Sequence, residues 1–189
     1  MILLTGFEPF TTGQGLKLTH NPTGDIATSL GSSLTHVQGA VLPVSFTQTK
    51  TTLTDMFVNL EPTHWVGLGF APHRTTIDVE AVALNLEHAR SGDNDGKTPF
   101  MRPIVEGAPL AYRSRVDTAD LAKTLNGHSV PAQTNCHAGT FLCNQTFYLG
   151  CHWAESSHSL QTAVFIHVPP MERYESFQNA LGEWLKGLA

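Results

Sequence analysis

Residues 134–148 read TNCHAGTFLCNQTFY. The stretch finishes a strand expected over Val130–Asn135, passes the small residues Ala138 and Gly139, and enters a helix expected to run to about Glu155. Strand, short turn and helix in that order are the repeating unit of α/β proteins. Cys143 falls at the start of the helix, where unpaired N–H groups and the positive end of the helix dipole gather. A thiol so placed has its pKa lowered and is more nearly a thiolate at neutral pH. The same N–H groups can hold the oxyanion formed when a carbonyl is attacked.

Outward from this unit the alternation repeats. Met1–Phe7 reads as a buried strand, and Asn21-Pro22 as the cap and first position of a helix running to about Leu30. Val37–Val44 is a second strand. Ser45 and Gln48 have capping-box spacing before a helix that ends at Glu61-Pro62. Trp65–Gly69 is a third strand. Thr75–Asn85 alternates, with Ile77, Val79 and Ala81 on one face and Asp78, Glu80 and Val82 on the other. Arg90–Tyr112 is irregular and rich in Gly, Asp and Pro, a length that usually signals function or mobility. Asp117 or Thr118 caps a helix through Leu125. Thr162–Val168 is a further strand, and Tyr174, Phe177, Leu181, Trp184 and Leu188 share one face of a last helix. The pattern predicts one domain over 1–189. Its expected fold is a three-layer α/β/α sandwich with a mostly parallel, twisted central sheet of the phosphorylase/hydrolase kind. In such sheets sites lie beyond the carboxyl ends of strands.

The composition excludes several classes. The chain has 189 residues, 41% apolar, with a formal net charge of −5. No Lys/Arg-rich run suggests a nucleic-acid partner, and no apolar run reaches the ~20 residues of a membrane helix. The start, MILLTGFEPF, is too short and lacks the positive charge of a signal peptide. Three cysteines without CxxC favour a reducing compartment, hence the cytoplasm. Despite ten histidines, there is no HExxH and no Cys/His set with zinc spacing, so no metal site is expected. Gly67-Leu68-Gly69 resembles the start of a dinucleotide fingerprint, but no third glycine follows.

A cysteine hydrolase needs a nucleophile, a base within hydrogen-bond reach and a group that orients the base. Cys143, His167 and Glu80 suit these roles. Each has a plainer reading: a buried small hydrophobe for Cys143, a satisfied core histidine for His167, and an ion pair with Arg74 or Arg90 for Glu80. Phe7 and Phe10 read as core by pattern, or as pocket by their place after a strand.

The segments TGFEPF (5–10), NPT (21–23), LPV (42–44), Gly69–Arg74, Glu80–Arg90, IVEGAP (104–109), AGTFLCN (138–144) and FIHVP (165–169), in this order, resemble the pyroglutamyl-peptidase I family, also called pyrrolidone-carboxylate peptidases. The resemblance implies a cytosolic thiol exopeptidase that removes N-terminal pyroglutamyl residues from peptides, without a cofactor and often as a homotetramer. It implies Cys143 as nucleophile, His167 as base, Glu80 as the acidic member and Arg90 as an aid to the oxyanion. Phe7, Phe10, Asn21, Phe70, Phe141 and Leu142 fall to the substrate pocket. Phe70 stands where some members carry glutamine, Ser91 where isoleucine is common, and Thr11-Thr12-Gly13 where a glycine pair is usual. Two other readings remain open from the residues alone: a lactam-binding protein without turnover, and a nucleoside phosphorylase-like enzyme on a similar sheet.

Overall fold

Strand β1 (Ile2–Phe7) is buried along its whole length, because it lies inside the sheet with helices on both faces. This computed structural model describes residues 1–12, 15, 17–157 and 159–188; the expectation for Gly13 lies outside them. The further elements are α1 (Pro22–Ser33), β2 (Val37–Leu42), α2 (Phe46–Leu60), β3 (His64–Phe70), β4 (Ile77–Leu84), β5 (Ala111–Arg113), α3 (Thr118–Gly127), β6 (Ala132–His137), α4 (Leu142–Ser156), β7 (Thr162–Val168) and α5 (Glu175–Lys186).

The sheet runs in the order β2-β1-β3-β7-β4-β5, with β6 on the other edge of β4. Strands β2, β1, β3 and β7 are mutually parallel, as the alternation requires. Strand β4 runs against β7 and carries β6 parallel to itself, so the sheet is mostly parallel but mixed. Strand β5 pairs with Val82–Leu84 on the edge of β4 that faces β7, filling the gap where those two strands part. Helices α1, α3 and α5 pack Ile26, Leu30, Leu121, Leu125, Phe177 and Leu181 on one face. Helices α2 and α4 pack Phe46, Leu53, Phe57, Phe147 and Tyr148 on the other, which makes three layers.

Local chemistry sets the boundaries. Asn21 Oδ1 accepts from the N–H of Thr23 at 3.1 Å, the expected cap of α1, which continues to Ser33. Strand β2 ends at Leu42 rather than Val44, because Pro43 cannot donate to a ladder and the Val44 N–H turns to Glu8 Oε1 at 2.9 Å. Ser45 Oγ caps α2 through the Gln48 N–H at 3.2 Å, but the Gln48 side chain donates to Asp95, so only half of the capping box forms. The stretch expected to be irregular from Arg90 to Tyr112 contains the start of β5. Strand β6 lies two residues beyond the expected Val130–Asn135.

Glycines let the sheet and α4 approach closely. A Cβ on Gly150 of α4 would stand 2.4 Å from the Trp65 ring, and one on Gly67 would stand 2.6 Å from Phe165 and Trp65. Trp65 in turn meets Phe57 edge-on at 6.2 Å and Phe165 at 6.4 Å. Gly150→Ala is therefore expected to lower stability by ~1–3 kcal/mol through overpacking, measured by urea unfolding; an unchanged midpoint would refute this close packing.

Candidate active site

The site gathers where the carboxyl ends of β3 and β7 meet the first turn of α4. His167 is the next-to-last residue of β7 and pairs in register with Gly69 on β3 and with Asp78 on the antiparallel β4. Because β4 is reversed, its first half delivers Glu80 to the same end of the sheet. Glu80 is fully buried, and its Oε1 accepts from His167 Nδ1 at 2.6 Å. Two further groups support the carboxylate: Asn135 Nδ2 of β6 donates to Oε2 at 2.8 Å, and Arg74 Nη1 forms an ion pair with Oε1 at 3.0 Å. The structure thus gives Glu80 both of its readings, the ion pair with Arg74 and the orientation of His167.

With Nδ1 committed to Glu80, the other ring nitrogen of His167 is left for the Cys143 sulfur. Burial disfavours the charged ring. The Cys143 charge and hydrogen bond, then the Glu80 hydrogen bond and charge, outweigh it and raise His167 from 6.5 to about 9. The arrangement favours the imidazolium form of His167 at neutral pH. Cys143 is half-buried. Cys136 is exposed on β6, and Cys151, buried in mid-helix, has its thiol pushed up to about 12 by burial, the environment of an inert cysteine.

Several residues hold Cys143 in place. Asn144 is wholly buried and ties the helix start to β4: Oδ1 accepts from the Leu84 N–H at 2.9 Å, and Nδ2 donates to the carbonyls of Leu84 at 2.8 Å and Leu86 at 2.9 Å. Gln145 Nε2 donates to the Phe46 carbonyl at 2.9 Å and to Glu87 Oε1 at 2.6 Å. Gly139, at φ +81°, takes the left-handed turn that joins β6 to this helix. The cap position is Phe141, which makes no side-chain cap hydrogen bond, so no cap competes for the first-turn N–H groups beside Cys143.

A cavity of about 190 Å³ opens onto the sulfur, lined by Phe7, Phe10, Thr12, Asn21, Val44, Phe70, Pro72, His73, Phe141, Leu142 and Cys143. It includes all six residues expected at a substrate pocket, and adds Thr12, Val44, Pro72 and His73. Asn21 is largely committed to structure: Oδ1 serves Thr23, and Nδ2 donates to the Glu8 carbonyl at 3.0 Å. Glu8 Oε1 accepts from Val44 N–H and from Asn94 Nδ2, each at 2.9 Å, which pins the Phe7–Phe10 wall to the neighbouring loops. Phe141 is braced edge-on against Phe46 at 5.1 Å. Arg90 and Ser91 do not line the cavity. Arg90 is exposed and has no hydrogen bond or ion pair among the described residues.

Gly69 has a role that the one-dimensional pattern concealed. A Cβ there would stand 2.8 Å from Cys143 Sγ and 2.8 Å from the Phe165 ring. The bare Cα is the seat of the sulfur, and the Gly-Leu-Gly pattern serves packing across the sheet, not phosphate binding. In Gly69→Ala the sulfur is expected to move off His167, slowing alkylation of Cys143 at pH 7 by about tenfold or more, the equivalent of ~1.4 kcal/mol. Gly67→Ala, which crowds only rings, is the control. Equal alkylation rates in both variants and the unaltered chain would remove this role.

Comparison with known proteins agrees with the geometry. The pyroglutamyl peptidase family model, peptidase C15, matches residues 1–180. The pyrrolidone-carboxylate peptidase of Pyrococcus furiosus is 39% identical over 171 residues, covering 89% of this chain and 80% of that protein. That of Bacillus thuringiensis is 34% identical over 171 residues, 89% of this chain and 77% of the relative. Crystal structures of pyrrolidone carboxyl peptidases superpose closely: the P. furiosus enzyme with a TM-score of 0.90 at 33% identity, over 98% of this chain and 96% of that one. The Thermococcus litoralis enzyme gives 0.89 at 32% identity, over 98% and 91%. With its Cys143–His167–Glu80 constellation set at one aromatic cavity, the chain belongs to the pyroglutamyl peptidase family, the C15 peptidases.

Proposed function

We propose that this chain removes N-terminal pyroglutamyl residues from peptides through a thioester on Cys143. The observation that carries this reading is the character of the cavity at the sulfur. At about 190 Å³ it is smaller than the roughly 300–1,000 Å³ of pockets that take drug-sized ligands. Its walls are largely apolar and aromatic, and no carboxylate is among the described residues that line it. A site for an ordinary N-terminal residue would need an acidic group or a metal for the ammonium. This one suits a small, flat, uncharged ring. Leaving the partners of the lactam groups unpaired costs ~1–3 kcal/mol each, which disfavours a prolyl residue, whose ring lacks the carbonyl.

In this reading the Cys143 thiolate attacks the acyl carbon that joins the pyroglutamyl residue to the next nitrogen. The electron pair moves to the carbonyl oxygen, and the uncapped N–H groups at the start of α4 hold the resulting oxyanion. Arg90 lies outside the cavity, so no step is given to it. As the intermediate collapses, the C–N bond breaks and the His167 imidazolium gives its proton to the departing amine. The acyl group remains as a thioester on Cys143. Neutral His167 then takes a proton from water, whose oxygen attacks the thioester. Collapse of the second intermediate breaks the C–S bond, frees pyroglutamate and restores the thiolate–imidazolium pair. Glu80 holds the ring orientation throughout and favours its charged form.

The reading extends to the setting. No helix among the described residues is long and apolar enough to cross a membrane, and the three unpaired cysteines suit the cytoplasm. Exposed Phe100, Met101 and Leu110 offer apolar surface for a homo-oligomer.

The decisive assay is release of a fluorescent amine from a pyroglutamyl amide, with the prolyl amide as control and a reducing agent present. Cleavage of the first alone is expected. Cys143→Ala should abolish turnover, and substantial remaining activity would remove the covalent mechanism. The pH profile follows from His167. Its folded value of about 9 lies above the ordinary 6.5, so the proton needed by the leaving amine is present below about pH 9 and is lost above it. Accordingly kcat/KM is expected to fall on the alkaline side with a midpoint near 9. A midpoint near 6.5 would show that the sulfur and Glu80 do not hold the imidazolium.

A further inference from the structure

The turn that walls one side of the cavity ends in a cation that reaches into the triad. Phe70, Pro72 and His73 line the cavity, and Arg74 follows directly. Backbone bonds fix the turn: the Ala71 N–H donates to the Val168 carbonyl at 2.9 Å, and the Arg74 N–H to the Ala71 carbonyl at 3.0 Å. The Arg74 side chain, about a quarter exposed, then spans two buried carboxylates of β4. Its Nη1 donates to Asp78 Oδ2 and stands 3.0 Å from Glu80 Oε1, the oxygen that also accepts from His167. The remaining carboxylate oxygens are held from β6, Asp78 Oδ1 by Gln133 Nε2 at 2.8 Å and Glu80 Oε2 by Asn135 Nδ2 at 2.8 Å.

Resting on the peptidase reading above, we propose that Arg74 is a positioning residue of the reaction. Its guanidinium ties the turn that walls the substrate cavity to the Glu80 carboxylate, and it balances the charge that Glu80, His167 and Cys143 share. Without it, two buried carboxylates two residues apart on one strand would face each other with the imidazolium as the only cation in contact among the described residues. The titratable and charged groups around the sulfur come from every side: His73 and Arg74 from the β3–β4 turn, Asp78 and Glu80 from β4, His167 from β7 and Cys143 from α4. Gln133 and Asn135 of β6 contribute neutral donors. Arg74 touches neither sulfur nor cavity, so it acts through Glu80 and through the turn. The seating of the ring against Phe70 and Pro72 is thereby linked to the orientation of the base.

The test uses the full chain and three variants, Arg74→Met, Arg74→Lys and Asp78→Asn. For each, the alkylation rate of Cys143 by iodoacetamide is followed across pH by mass spectrometry of the Cys143 peptide, alongside kcat and KM for the pyroglutamyl amide. Removing the cation is expected to raise the acid-side midpoint of alkylation, by less than the ~1 unit or more that a charge in direct contact imposes, because Arg74 acts through Glu80 and His167. Removing the Asp78 charge is expected to lower it. Arg74→Lys keeps the charge and should stay near the unaltered midpoint, with kcat partly restored relative to Arg74→Met. Midpoints that stay put in Arg74→Met and Asp78→Asn, or that move the same way, would overturn the proposal. Should Arg74→Met lose its circular dichroism signature of folding, the opposite shift in Asp78→Asn and the rescue in Arg74→Lys decide the matter. Alkylation needs no turnover. Failure of the unaltered chain to cleave the amide therefore counts against the peptidase reading alone and leaves the role of Arg74 to the alkylation midpoints.

Discussion

Burying the carboxylate of Glu80 is the constraint from which the architecture of the site follows. A charge with no access to water needs donors on every lone pair that water would have served. Here three neighbouring parts of the sheet support it: β7 and β6 with hydrogen bonds through His167 and Asn135, and the turn leaving β3 with the charge of Arg74. No single strand can satisfy this group. The order β3-β7-β4, with β6 on the far edge, is the arrangement that brings all three groups to one point. The reversed direction of β4 has the same consequence. A parallel strand in that place would carry a residue so near its start to the opposite end of the sheet. Since replacing buried ions by apolar groups often leaves stability unchanged or improved, a carboxylate with this much support is better understood through the imidazole it holds than through stability.

The start of α4 shows the same preference for chemistry over local comfort. Ser, Thr, Asn or Asp at a cap position contributes about 0.5–2 kcal/mol over an apolar residue. Helices α1, α2 and α3 take that gain with Asn21, Ser45 and Asp117, while α4 carries Phe141 there instead. The helix start is held by other means, through the side chains of Asn144 and Gln145. Those contacts lie on the inward side and leave the N–H groups beside Cys143 free of a cap.

Much of this was legible in the sequence where the signal was local. TAVFIHV marks β7 residue for residue, Asn21-Pro22 marks the start of α1, and the small residues before Phe141 place Cys143 at a helix start. What depends on neighbours across the sheet was not. Alternation in residues 75–85 announces a strand but not its direction, so the route by which Glu80 meets His167 stayed open. The three-residue β5 owes its existence to the gap between β4 and β7, not to any propensity in Ala-Tyr-Arg. Gly67 and Gly69 read as a weak ligand fingerprint until Trp65, Phe165 and the Cys143 sulfur are seen against them. The choice between Arg74 and Arg90 as partner of Glu80 likewise needed coordinates: spacing allowed both, and the turn fixed by Val168 selects Arg74.

The position of β7 also bears on how the molecule comes into being. It is the last strand in the chain, yet it lies between β3 and β4. Until it inserts, the first three strands and the β4–β6 pair are separate fragments with raw edges, and Glu80 and Cys143 have no imidazole between them. Synthesis proceeds from the N-terminus, so Cys143 leaves the ribosome before His167. A nascent chain therefore carries the cysteine without its imidazole neighbour, and the Cys143–His167–Glu80 cluster assembles only with the closure of the sheet.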